Sequence, residues 1–365
     1  MQTCLIRCGE TTGEYPTAPT VTDISKATVT VSNSTYTGKA LTPTPTVKLG
    51  STTLKNDTDY TVTYSDNTNA GTATVTVTGT GNYTGTITKT FTIEKAVNSL
   101  TVAKTSYTYN ASATKAQSFT ISISKVTSGK NTVTYQSNNS KVKVDANGKV
   151  TIPKNFSGTV KITAGAGNAN YKTASQTITV KVNQIANTIT ASNFTKTAST
   201  TKAQTFSIGA KRSGSGKLTY SSNNKSVKVD SSGKVTIAKN FAGKVTITIK
   251  AASSGIYKAA SKTITVTVKP SKTTLKTVTS PKTKQLKATW AKDTTVNGYQ
   301  IQYSTNSKFK SGNKTKTISK NSITSATITK LTKGKTYYVR VRAYKTIDGK
   351  KVYGAYSTAK KVKIK

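Results

Sequence analysis

Histidine is absent from the 365 residues, which removes the commonest general base and the commonest neutral metal ligand. Cysteine occurs only as Cys4 and Cys8. Two thiols near one end build neither a disulfide framework nor a cysteine zinc site through the body. Acids number 11 against 55 Lys and Arg, leaving a net charge of +44. Leucine occurs nine times, against 52 Val plus Ile and 75 Thr. Stiff β-branched side chains fit pleated strands, and so few leucines argue against helices. No apolar run approaches the length of a membrane-spanning helix.

Leu, Ile, Val and Phe together make 68 of 365 residues. That is just below the level at which a highly charged chain is suspected of disorder. The arrangement overrules the count, because the apolar residues recur with period two, which a disordered chain has no reason to keep. Residues 1–19 lack that pattern. They have no apolar stretch of signal-peptide length and no lipid-attachment motif around Cys4. They are expected to be an irregular tail, a remnant of an upstream domain or an unstructured leader, in which Cys4 and Cys8 have no assigned role.

A repeat dominates the middle of the chain. Ser137–Thr163 and Ser222–Thr248 are identical at 19 of 27 positions at a shift of 85. The match resumes between 171–182 and 257–268. A period near 85 is far longer than a solenoid repeat and about one seven-strand sandwich. Each copy carries its own hairpin. Val142 and Val144 alternate with lysines, Asp145-Ala-Asn-Gly148 supplies turn residues, and Val150 and Ile152 return on the apolar face. Asp230-Ser-Ser-Gly233 repeats this turn between Val229 and Val235.

The flanking segments obey the same alternation with other residues. In 20–95, Tyr60, Val62 and Tyr64 alternate with threonine, as do Val75 and Val77. In 271–365, Leu286, Ala288 and Trp290 form one run, Tyr299, Ile301 and Tyr303 a second, and Tyr337, Val339, Val341 and Ala343 a third. The expected fold class is all-β, a linear array of four β-sandwich domains at 20–95, 96–183, 184–270 and 271–365, joined by short linkers.

The repeat's V-x-V-D-x-x-G-x-V-T-I hairpin, followed by Gly158 or Gly243, resembles bacterial immunoglobulin-like domains of the group 2 type. Tyr36-Thr-Gly38, Asp59–Tyr64, Asn69–Ala73 and Gly81–Gly85 resemble another bacterial Ig-like repeat of Gram-positive surface proteins. Residues 271–365 resemble a fibronectin type III domain, with Trp290 at the buried strand-B position and Leu331–Ala343 as the tyrosine corner and following strand. Lys333 stands where that family usually has proline. No Arg-Gly-Asp occurs, so integrin recognition through that motif is not supported. These resemblances imply an extracellular, non-catalytic module array.

The chemistry available is thin. A glycosidase needs two carboxyls at one site, and the domains expected at 96–183 and 184–270 have one acid each, Asp145 and Asp230. Abundant Ser and Thr have no His to activate them. Asn56–Asp59 and Asp66–Asn69 could offer oxygens to Ca²⁺ but fit turns equally well, so no metal, cofactor or catalytic residue is assigned. Charge rises along the chain, from +1 in 20–95 through +10 and +13 to +21 in 271–365. Solubility needs no such excess, and a polyanion would be attracted by it.

The candidate contact stripe is Tyr338, Arg340, Arg342 and Tyr344 on one face of a strand. Trp290 and Tyr337, in phase with apolar neighbours, are core markers. The expected function is a non-catalytic stalk or adhesion module array, secreted or on a Gram-positive-type surface, monomeric, with an anionic cell-wall polymer or another envelope polyanion as partner. No specific nucleic-acid partner is expected. The alternative is a carbohydrate- or wall-polymer-binding appendage of a secreted enzyme whose catalytic domain lies upstream.

Overall fold

Valine and isoleucine at every second position give a strand one apolar face, and the threonines between them give it a polar one. In the computed structural model, which describes residues 18–365, this alternation becomes a succession of strands. Among the described residues the one helical turn is a 3-10 turn at Lys130–Thr132. Cys4, Cys8 and nearly all of the expected tail lie outside the described residues. Packing divides the chain into two compact units. One comprises 18–109, 114–154 and 158–182, and the other 110–113, 155–157 and 183–365.

The first unit begins with a sheet centred on Gly71–Gly79, which pairs antiparallel with Tyr60–Ser65 and with Thr86–Glu94. Ser34–Thr35 adds in parallel to the outer side of Thr86–Glu94. A smaller sheet of Thr28–Thr30, Thr46–Leu49 and Thr52–Thr53 lies against it. Val29 and Val47 from one sheet meet Tyr60 and Val77 from the other in a common core. Further along, Gly158–Ala166 pairs with Val133–Ser137 and Ala174–Asn183, and Lys149–Ile152 pairs with Gln117–Thr120 and Lys143–Val144. Val142, Val150, Val160, Ile162 and Ile178 are all fully buried there.

The second unit repeats this last arrangement. Gly243–Ala251 pairs with Leu218–Ser222 and Ala260–Lys269, and Lys234–Ile237 with Gln204–Ser207 and Val227–Val229. The 85-residue repeat in sequence is therefore a repeat in sheet order. Its hairpin explains why. Asp145 Oδ1 accepts the backbone N–H groups of Asn147 and Lys149, each at 2.9 Å, and Asp230 Oδ1 accepts those of Ser232 and Lys234. Gly148 and Gly233 take φ of 76° and 81°. A Cβ there would lie 2.9 Å from the ring of Tyr135 or Tyr220, so only glycine fits either position.

The unit ends in two packed sheets. Leu275–Thr279, Leu286–Trp290 and Ser325–Ile328 form one. Gly298–Ser304 and Thr336–Ile347 form the centre of the other, flanked by Lys314–Ile318, Lys350–Tyr353 and Lys360–Lys363. Trp290 packs against Tyr299, with ring centroids 5.4 Å apart, in a core with Leu286, Ile301, Val339 and Val341. The Trp290 ring is 1% exposed and its Nε1–H is buried with no acceptor among the described residues. Tyr337 is only half-buried at the edge of this core, and its hydroxyl accepts the Thr332 amide at a long 3.4 Å. The well-anchored tyrosine is Tyr299, fully buried, whose hydroxyl accepts the Asp293 amide at 2.7 Å and lies 3.3 Å from the Asn321 carbonyl.

Candidate functional site

The strand Thr336–Ile347 buries Val339, Val341 and Ala343, so its alternate residues Tyr338, Arg340, Arg342 and Tyr344 share the opposite face. The neighbouring strand presents Gln302 opposite Arg340 and Gln300 opposite Arg342. Arg340 Nε donates to Gln302 Oε1 at 2.6 Å. Arg342 donates to Gln300 Oε1 from Nε at 2.9 Å and from Nη2 at 2.7 Å. The Tyr356 hydroxyl donates to the same Gln300 oxygen at 3.1 Å.

Each guanidinium group lies over two rings. Arg340 lies 4.1 Å from the centroids of Phe309 and Tyr356, and Arg342 lies 4.4 Å from Tyr356 and 3.8 Å from Tyr353. The result is one stack, Phe309–Arg340–Tyr356–Arg342–Tyr353. Tyr344 extends it, 5.8 Å from Tyr353 and with Lys351 Nζ 5.3 Å from its centroid. Guanidinium is the cation suited to such stacking, being planar and weakly hydrated.

The loop that supplies Phe309 is held in an unusual conformation. Phe309 has a φ of 54°, rare for a bulky residue. Ser304 Oγ donates to the Ser311 carbonyl at 2.9 Å, and Asn313 Nδ2 to the Phe309 carbonyl at 2.7 Å. These bonds hold the ring under Arg340, where it is 8% exposed.

Of the four stripe residues, Arg340 and Arg342 are brought together through Tyr356, and Tyr338 is half-buried at the end of the face, paired with Ser304 and Lys361. Tyr344 does not stand out as a contact residue. It is 3% exposed, because its ring lies over Gly298, where a Cβ would come within 2.9 Å of the Tyr344 hydroxyl. Phe309, Tyr353, Tyr356, Gln300 and Gln302 were not singled out by sequence. The glutamines carry a visible signal, alternating with Tyr299, Ile301 and Tyr303. The rings come from loops and a returning strand, and no local periodicity marks them.

The acids mostly serve the backbone. Asp59 accepts the Lys55 amide at 2.7 Å, Asp23 the Ser25 amide, and Asp293 the amide and hydroxyl of Thr295. The Ser232 hydroxyl, then the Lys234 and Ser232 amides, hold the Asp230 carboxyl below its ordinary pKa. Among the described residues Lys244–Asp348 is the one salt bridge, and no cluster of three His, Cys, Asp or Glu is placed to hold a metal. No helix among them is long and apolar enough to cross a membrane.

Residues 268–355 match the family described as Fibronectin type III domain. The C-terminal stretch is thus a fibronectin type III domain, a module that typically serves as non-catalytic scaffolding, and the match takes in Phe309, Arg340, Arg342 and Tyr353. No curated protein matches the chain. Among solved structures, the chain is similar to domains A168–A170 of titin. That match has 13% identity, covers 73% of this chain and 99% of that one, and has a TM-score of 0.30. It is also similar to the FN1–FN3 domains of chicken CNTN1, at 15% identity, 73% and 97% coverage and a TM-score of 0.25.

Proposed function

We propose that the chain is a non-catalytic array of four β-sandwich modules, bounded near 95, 183 and 270, that associates with an anionic polymer of a bacterial cell envelope. The first three modules are bacterial Ig-like domains in this reading, the middle two of the group 2 type. The observation that carries it is charge without compensation. The chain holds 55 basic residues and 11 acids, and most of the acids just described are engaged by backbone amides. Among the described residues the basic side chains make one salt bridge, Lys244 to Asp348. Lysine on an exposed edge discourages sheet-to-sheet aggregation, but that role does not require acids to be nearly absent. A polyanion would release counterions on binding, so affinity would fall steeply with salt.

The test is binding of the full chain to purified Gram-positive cell walls, before and after chemical removal of teichoic acid, across a salt series. The reading expects binding that weakens steeply with salt and is lost on stripped walls. Binding indifferent to both would leave the lysines as solvated strand faces.

A further inference from the structure

Four of the 55 basic residues are arginine, Arg7, Arg212, Arg340 and Arg342, and two of those four stand in the aromatic stack. Elsewhere the chain meets its need for positive charge with lysine. At this face it uses the planar cation and holds each guanidinium against two rings and a glutamine oxygen. Gln302 takes only Nε of Arg340, and Gln300 takes Nε and Nη2 of Arg342. Both Nη groups of Arg340 and Nη1 of Arg342 have no acceptor among the described residues. The acids of this domain, Asp293 and Asp348, are bound to Thr295 and Lys244. A guanidinium already held by two rings and a glutamine loses little freedom when an anion takes its remaining N–H groups.

We infer that the Phe309–Arg340–Tyr356–Arg342–Tyr353 stack is a binding site for a phosphodiester-linked polyol chain, each guanidinium edge receiving one phosphate. The inference rests on the envelope-polymer reading and names the site and chemistry within it. Arg340 and Arg342 are two residues apart on one strand, about 7 Å, with the Tyr356 ring between them. The alternation of cation, ring and cation matches phosphate, short polyol link and phosphate. A carboxylate polysaccharide places a whole sugar ring between its charges and fits this spacing less well. Arginine forks bind phosphate with two parallel hydrogen bonds, which lysine cannot reproduce.

The experiment titrates the full chain with poly(glycerol phosphate) and, separately, with polygalacturonate at physiological ionic strength. It compares wild type, Arg340→Lys/Arg342→Lys and Lys361→Gln/Lys363→Gln. The arginine-to-lysine pair keeps the net charge and should lose tenfold or more in affinity for the phosphate polymer. The glutamine pair removes two exposed charges from the same sheet and should lose no more than about threefold. In wild type, the Nε–H NMR signals of Arg340 and Arg342 should shift on titration while that of Arg212 does not, a readout that stands even where a variant folds poorly. Unchanged binding by the arginine-to-lysine pair with unmoved arginine signals would overturn the site and leave the diffuse-charge reading intact. Equal, equally arginine-dependent binding of polygalacturonate would overturn the phosphate assignment. Failure of the wild-type chain to bind either polymer or walls would overturn both readings.

Discussion

On the outward face of the first large sheet, Thr61, Thr63 and Ser65 lie beside Thr78, Thr76 and Thr74, and Thr74, Thr76 and Thr78 in turn lie beside Thr90, Thr88 and Thr86. Thr72 and Thr92 complete the grid. The corresponding outward face of the last sheet carries Gln300, Gln302, Arg340, Arg342 and Tyr344 under a layer of rings. Both faces cover a core of alternating apolar residues, and both have to be compatible with water. Threonine meets that demand alone, since it is polar, β-branched and uncharged. The arginines and the surrounding lysines of 271–365 thus bring more charge than a water-facing sheet requires, and the proposed polymer binding rests on that excess.

The largest difference is expected between the two cores. Trp290→Ala should destabilise the C-terminal domain by about 3–5 kcal/mol, because that core is built on one large ring. Val77→Ala in the threonine-faced region should cost about 2 kcal/mol, its core being spread over smaller side chains. Calorimetry of the full chain checks both, and equal losses would show that the cores do not differ in this way. Next come the tyrosines. Tyr299→Phe removes a buried, bonded hydroxyl and should cost about 1–2 kcal/mol, while Tyr337→Phe removes one long bond and should cost about 0.5 kcal/mol. Reversal of that order in urea titrations would contradict the hydrogen-bond assignment.

Acid sensitivity separates a bonded turn from plain surface charge. Asp230 has its pKa lowered by its turn hydrogen bonds, so its stabilising contribution is present above the unfolded value of about 3.9. That contribution is lost as pH falls through the folded value. Urea titrations from pH 2 to 7 should therefore show Asp230→Asn flattening the acid limb below about pH 4 and leaving the slope above about pH 5 unchanged. The smallest effect on stability is expected from placing charge on the threonine grid. Thr88→Lys/Thr90→Lys should change stability by no more than about 0.5 kcal/mol yet add salt-dependent attraction to wall polymer. A large loss of stability would mean that the fold itself demands an uncharged face there.

Much of the scaffold was legible because it is written in period two. The 85-residue repeat carried its hairpin, its glycine and its capping aspartate in adjacent residues, and both copies form the same sheets. The candidate surface was legible only in part. Alternation put Arg340, Arg342 and Tyr344 together as contact residues, and of these Tyr344 is buried. The absence of a side chain at Gly298, on another strand, lets that ring sink. Phe309, Tyr353 and Tyr356 reach the stack through a left-handed loop residue and a strand pairing fifty residues from Gln300, and neither leaves a trace in local pattern. Tyr337 and Tyr299 both alternate with apolar residues, and only the tertiary position of Asp293 decides which hydroxyl is anchored.

Charge is the property on which the functional account depends, and it is divided unequally between the two compact units. Fragments 20–183 and 184–365 follow that division closely and can be compared on the same purified walls, in low and high salt, with and without teichoic acid. The account predicts that the second fragment, with the larger positive charge, binds more strongly, releases in high salt and fails to bind stripped walls. Equal binding by the two fragments, or binding by the second that survives both high salt and removal of the polymer, would contradict it.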